Sequence, residues 1–118
     1  MRLFIPYDFP NWNKYIAVER GNRYMANKIK QEEKQFVCFA CWTARERYQG
    51  NYPVTLTIRP YFKDKRKDLD NFRMKGLIDG LVAAGVIKND NLTCIDRIIL
   101  EPIFSDKEGV EVEITETR

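Results

Sequence analysis

The chain contains no histidine. That absence removes Ser-His-Asp and Cys-His nucleophile pairs, and with them any catalytic metal held by imidazole. Cysteine is scarce and odd in number: Cys38, Cys41 and Cys94. Three thiols do not make a disulfide framework, and without histidine they fall short of the four ligands of a structural zinc. The Cys38–Cys41 spacing lacks the βαβ context of a redox pair, so both are read as small core residues on a helix. No apolar run is long enough to cross a bilayer, and MRLFIPYDFP meets Pro and Asp too early for a secretion signal. A reducing, cytoplasmic setting away from membranes is expected. Chemistry must then run through carboxylates, lysine, tyrosine, or a hard cation held by oxygen ligands.

What is present suits one compact domain over residues 1–118, with 44% hydrophobic and 13% aromatic residues. A core of this size is modest and gains from surface buried against a partner subunit. Charge is unevenly spread. Residues 101–118 hold six acids against two bases, so a net +3 chain carries −4 there and +7 over residues 1–100. Such a basic body suits a polyanionic partner, although a solvated basic surface accounts for the charge alone equally well.

Along the chain, residues 2–6 read as a short strand, and Gly21-Asn22 between residues 14–19 and 23–25 reads as a hairpin turn. Residues 26–48 carry Ile29, Phe36, Val37, Phe39, Ala40 and Ala44 at helical intervals, closed by Gly50 and Asn51. Val54, Leu56 and Ile58 alternate with Thr55, Thr57 and Arg59 in a strand with one buried face, which Pro60 places at an edge or an end. After the basic run 63–67, Asp-Leu-Asp-Asn opens a second helix with Phe72, Leu77, Ile78, Leu81 and Val82 on its apolar stripe and Gly85 at its end. Residues 95–104 and 110–115 read as antiparallel strands joined by a turn. The expectation is an α+β domain, two main helices packed on a mixed, mainly antiparallel sheet.

The chemistry concentrates at Asp68 and Asp70. Two residues apart in extended backbone, their carboxylates face one side and repel unless a cation sits between them, and a hard divalent ion suits oxygen ligands. Helix capping is the competing account of Asp and Asn at that position. Lys75 and Asp79 can form an i,i+4 pair, and Asp90 lies in an Asn-Asp-Asn turn beyond the helix.

Together these residues resemble a known pattern. RKDLDNFRMKGLIDGLVAAGVIKNDNLTCID (66–96) is similar to the signature of the RusA family of Holliday junction resolvases: Asp-x-Asp-Asn, a lysine, a helical Asp-Gly-Leu, a Gly turn, then an Asp pair. The resemblance continues to EGVEVEIT (108–115) and, more loosely, to PNWNKYIAVERGNRYM (10–25). It implies a RusA-like fold, Mg²⁺ with Mn²⁺ as a substitute, and a homodimer that cuts four-way junctions. It assigns Asp68, Asp70 and Asp90 to the metal and to catalysis, and Lys75 to catalysis. Two departures stand out: Met74 occupies the family's lysine position, and Asn89 replaces the first acid of the Asp pair.

Lys63, Lys65, Arg66 and Lys67, with Arg73, would bring a DNA backbone to these acids. Asn13, Lys14, Arg20 and Arg23 form a second candidate DNA contact, with Trp12 and Tyr15 as wedges or as packing residues. A branched-DNA-binding protein of the same fold, weak or inactive in cleavage, is the alternative. A third reading makes residues 101–118 an acidic docking segment, set against the strand register of Val110, Val112 and Ile114.

Overall fold

The alternating stretch VTLTIRPYF forms β2 (Val54–Phe62), the central strand of the computed structural model, which describes residues 1–118. On one side β5 (Val110–Glu116) runs antiparallel to it, and β1 (Arg2–Ile5) runs antiparallel to β5. On the other side lie β3 (Ile95–Leu100) and the two-residue β4 (Ile103–Phe104), both parallel to β2. The expected α+β class and mixed sheet are therefore present.

Two expectations about the sheet need correction. Residues 95–104 and 110–115 are not a hairpin, because β2 lies between them. Nor does β2 bury one face only, as its alternation suggested: Thr55 and Thr57 are buried along with Val54, Leu56 and Ile58, as befits a central strand flanked on both edges. Pro60, opposite Val110, is the last β2 residue paired with β5 and follows the last β3 pair at Ile58, so it marks the ladder end that the sequence suggested. Its missing N–H does no harm there. Ile58 accepts a bond from Glu101 on the β3 side, and Tyr61 donates to Gly109 on the β5 side. By alternation Pro60 faces the gap between β3 and β4, where the neighbouring ladder is already interrupted.

Three helices, α1 (Trp12–Gly21), α2 (Arg23–Ala44) and α3 (Met74–Ala83), complete the fold. The first replaces the expected hairpin. Asn22 ends α1 and caps α2, its side-chain oxygen accepting from the N–H groups of Tyr24 and Met25. Asparagine after glycine signals a turn and a helix cap equally well, and here the cap prevails. Arg45, in the left-handed region at φ 55°, ends α2 a turn earlier than expected.

The core lies between the sheet and the pair α2–α3. Leu3, Ile5, Leu56, Ile58, Val112 and Ile114 meet Val37, Cys41, Leu77 and Leu81. Each fully buried leucine contributes about 1.5–3 kcal/mol. The two helices approach so closely that a Cβ on Gly80 would lie 2.6 Å from Val37. Gly85, at φ +76°, ends α3, with Val86 donating back to Leu81. Cys38 and Cys41 are free thiols on α2, and burial raises the Cys41 thiol to about 11. No helix is long and apolar enough to cross a membrane.

The opposite sheet face is polar. Arg59 on β2 reaches Glu113 at 2.9 Å, Glu111 at 3.6 Å and Glu101 at 3.8 Å, while Arg2 lies 3.5 Å from Glu113. These pairs account for half of the acids in residues 101–118. Val110, Val112 and Ile114 point inward as their register predicts, so this segment is a sheet strand with partnered charges and not a free acidic tail.

Candidate active site

The chain leaves β2 at Phe62 and passes through the basic loop to Asp68, whose backbone is extended. A single 3-10 turn, Leu69–Asn71, follows. Phe72 returns to extended backbone and is buried, and α3 starts only at Met74. Asp70 therefore sits in the turn, and the strand rule that would align it with Asp68 does not apply. Both aspartates are exposed. Asp68 makes no capping bond with its side chain, so capping does not explain it. Asn71 is engaged: its side-chain oxygen accepts the Asn13 N–H at 3.3 Å and ties this turn to the start of α1.

Asp68 lies on the wall of a cleft of about 360 Å³ between the Tyr7–Asn11 segment, the end of β2 and the loop before β5. Lys14, Lys63, Lys67 and Lys107 also line it. Tyr7 donates to Glu32 at 3.3 Å, and burial, aided by Glu32 and Glu33, holds its hydroxyl well above the ordinary tyrosine range. It stays neutral and is no base at neutral pH.

Asp90 is elsewhere. It is exposed in the loop after α3, where the Asn89 side chain accepts the N–H groups of Asp90 and Asn91. That loop runs to Cys94, whose carbonyl accepts from Val54 at the beginning of β2. Asp68 and Asp70 follow the other end of the same nine-residue strand. At about 3.3 Å per residue the two ends stand roughly 26 Å apart. No group of three acidic or thiol side chains within the chain has the geometry to hold a metal ion. One chain does not bring the three aspartates together.

Lys75 lies in the first turn of α3, exposed, with its ammonium 3.5 Å from Asp79. The i,i+4 pair anticipated from spacing is formed, and an exposed pair of this kind contributes only a few tenths of a kcal/mol, about 0.3–0.5.

Arg73 requires a correction. It was expected to face DNA, yet it is 1% exposed. Its guanidinium donates to both carboxylate oxygens of Glu33, a fully buried residue of α2, one of the bonds measuring 2.6 Å. The guanidinium also lies 4.0 Å from the Tyr15 ring centre and 5.5 Å from that of Trp12. Tyr15 is buried, so the two aromatics pack on a cation and Tyr15 is unavailable as a wedge. Burial pushes the Glu33 carboxyl up, while Arg73 pulls it down.

The other candidate DNA contacts are exposed. Lys65, Arg66 and Lys67 are exposed, although Arg66 folds onto Asp64 at 3.2 Å. Asn13 and Lys14 are exposed at the start of α1, and Arg20 and Arg23 flank the joint at Asn22. Lys107 joins Lys14, Lys63 and Lys67 at the cleft without having been singled out from sequence. It lies forty residues beyond Lys67, the end of the basic run, too far along the chain for any local motif to link it to the other three.

Residues 4–115 match the family described as Endodeoxyribonuclease RusA. The chain is also similar to the crossover junction endodeoxyribonuclease RusA of Aquifex aeolicus (strain VF5). The two are 33% identical over 109 residues, covering 89% of this chain and 82% of that protein.

Proposed function

The chain belongs to the RusA family of endodeoxyribonucleases, and from that premise we propose that it resolves four-way DNA junctions by metal-dependent hydrolysis as a homodimer. The observation that carries the reading is the state of Asp68 and Asp70. Both are exposed beside a lysine-lined cleft, and neither is engaged by an ion pair with the nearby cations. Carboxylates left free among cations suit a hard divalent ion. A divalent cation, Mg²⁺ or Mn²⁺, held by Asp68, Asp70 and Asp90 would activate water and neutralise phosphate charge.

The separation of Asp90 from the other two shapes the assembly. The acids fit one cation only if Asp68 and Asp70 come from one protomer and Asp90 from its partner. A two-fold dimer repeats that pairing twice and so makes two sites, the number that paired cuts in a junction of near two-fold symmetry require. In this reading Lys63, Lys65 and Lys67 hold the DNA backbone by charge, and Lys75 stabilises the charge that develops on the phosphate once the substrate draws it from Asp79.

Incubation with a synthetic four-way junction and a linear duplex tests the activity. Nicking of the junction with Mg²⁺ or Mn²⁺ is expected, and Asp70→Asn should abolish it while binding stays intact or tightens, since an acid facing phosphate is lost. Binding without nicking in either metal would sink the enzyme and leave a junction-binding protein.

A further inference from the structure

The hydrolytic reading uses only the rim of the cleft at Asp68 and leaves its interior without a role. That interior is graded. Phe9, Phe72 and Val110 form a buried apolar floor. Tyr7 and Tyr61 stand half-buried on the walls, and Lys14, Lys63, Lys67 and Lys107 are exposed around them. Cations outside and aromatic rings within suit one nucleotide of a single strand, its phosphate held by ammonium groups and its base against a ring. Asp64 is already taken by Arg66, but the exposed carboxylates of Asp8 and Glu108 can accept from the exocyclic amino group of a base.

Size points the same way. A cleft of about 360 Å³ belongs to the small-molecule class. A duplex, whose major groove alone is about 12 Å wide, does not enter. A strand that presents a phosphate to Asp68 and Asp70 carries its neighbouring nucleotide past the mouth. In a paired arm that nucleotide is stacked, and extracting it costs a few kcal/mol, about the price that base-flipping enzymes meet. At a branch point stacking is already interrupted and the cost is least.

We propose that this cleft receives one unstacked nucleotide adjacent to the phosphate that is cut, so that cleavage is confined to branched DNA. The inference rests on the nuclease reading and deepens it by naming what selects the substrate.

Photo-crosslinking tests it. 5-Iodouracil is placed in turn at each nucleotide flanking the cut in a four-way junction, the complex is irradiated without divalent metal, and crosslinked peptides are identified by mass spectrometry. One position should crosslink to Tyr7 or Tyr61. Tyr61→Leu, which keeps the apolar volume, should weaken junction binding about ten-fold and leave linear-duplex binding unchanged. Crosslinks that map only outside the cleft, with Tyr61→Leu binding as wild type, overturn the subsite while junction nicking by the wild type keeps the nuclease reading. A wild type that nicks nothing overturns both.

Discussion

Arg73 and Glu33, forty residues apart in sequence, form an ion pair from which solvent is excluded, a single guanidinium nitrogen, Nη1, donating to both carboxylate oxygens. The pair joins the segment after Asp70 to the middle of α2, and Trp12 and Tyr15 bring α1 onto the same guanidinium. All three helices thus converge three residues from a candidate catalytic acid. A Cβ on Gly76 would lie 2.5 Å from the Glu33 carboxylate, so the first turn of α3 is fitted around the pair as well.

A buried pair is strongly destabilised when one partner is removed, because the other charge is left alone, whereas replacing both by apolar residues is often tolerated. Glu33→Ala should therefore cost about 3–5 kcal/mol. Glu33→Met with Arg73→Leu should recover most of that loss. Urea denaturation of Glu33→Met, Arg73→Leu and the double variant checks this, and additive losses in the double variant would show that the charges do not act as a pair.

The basic loop makes a different kind of contribution. Lys65, Arg66 and Lys67 are exposed and touch no part of the core, so replacing all three by Ala should leave stability unchanged. Junction affinity should fall, and the slope of log K against log salt should flatten by about 2–3 units, each phosphate contact contributing roughly one. An unchanged slope removes this loop from the DNA face.

On the polar sheet face, the Glu113 carboxyl is held below the ordinary carboxylate range, chiefly by the hydrogen bond from Arg59, with the charges of Arg2 and Arg59 adding and burial opposing. A depressed folded-state value means that the unfolded chain takes up the proton first. The stabilisation is complete above the unfolded value and is lost as pH falls through the folded one. Glu113→Gln should accordingly lower Tm at neutral pH and flatten its decline on acidification. Parallel Tm curves for variant and wild type would show that the pair plays no part in acid unfolding.

Strand and helix periodicities carried much of the architecture. The inward register of Val110, Val112 and Ile114, the amphipathic α2 and the glycine end of α3 all follow from local pattern. The order of strands did not, since nothing local says that β2 will insert between β3 and β5. Glu33 was legible in principle. It lies on the stripe Ala26, Glu33, Val37, Cys41 that α2 buries, and an acid at such a position requires a cation. Arg73, beside Phe72 on the way into α3, is that cation. Lys67, Asp68, Asp70 and Lys75 all lie within six residues of it, a context in which an arginine reads as a surface residue. The candidate site divided the same way. Asp68, Asp70 and Asp90 stand out within thirty residues of sequence, but the strand that separates them in space comes before that stretch and gives no sign of it.

In the proposed dimer each metal site is shared between protomers, with Asp68 and Asp70 from one and Asp90 from the other. Asp70→Asn and Asp90→Asn chains, carrying different affinity tags, can be co-expressed and the heterodimer purified through both. Each variant homodimer is dead in any account. In the shared arrangement the heterodimer gathers both lesions into one site and leaves the second intact, so it should nick a four-way junction at about half the wild-type rate, as the symmetry of two equivalent sites requires. Its products should be single nicks instead of paired cuts. A heterodimer as inactive as its parents would mean that each site is built within one chain, contradicting the account.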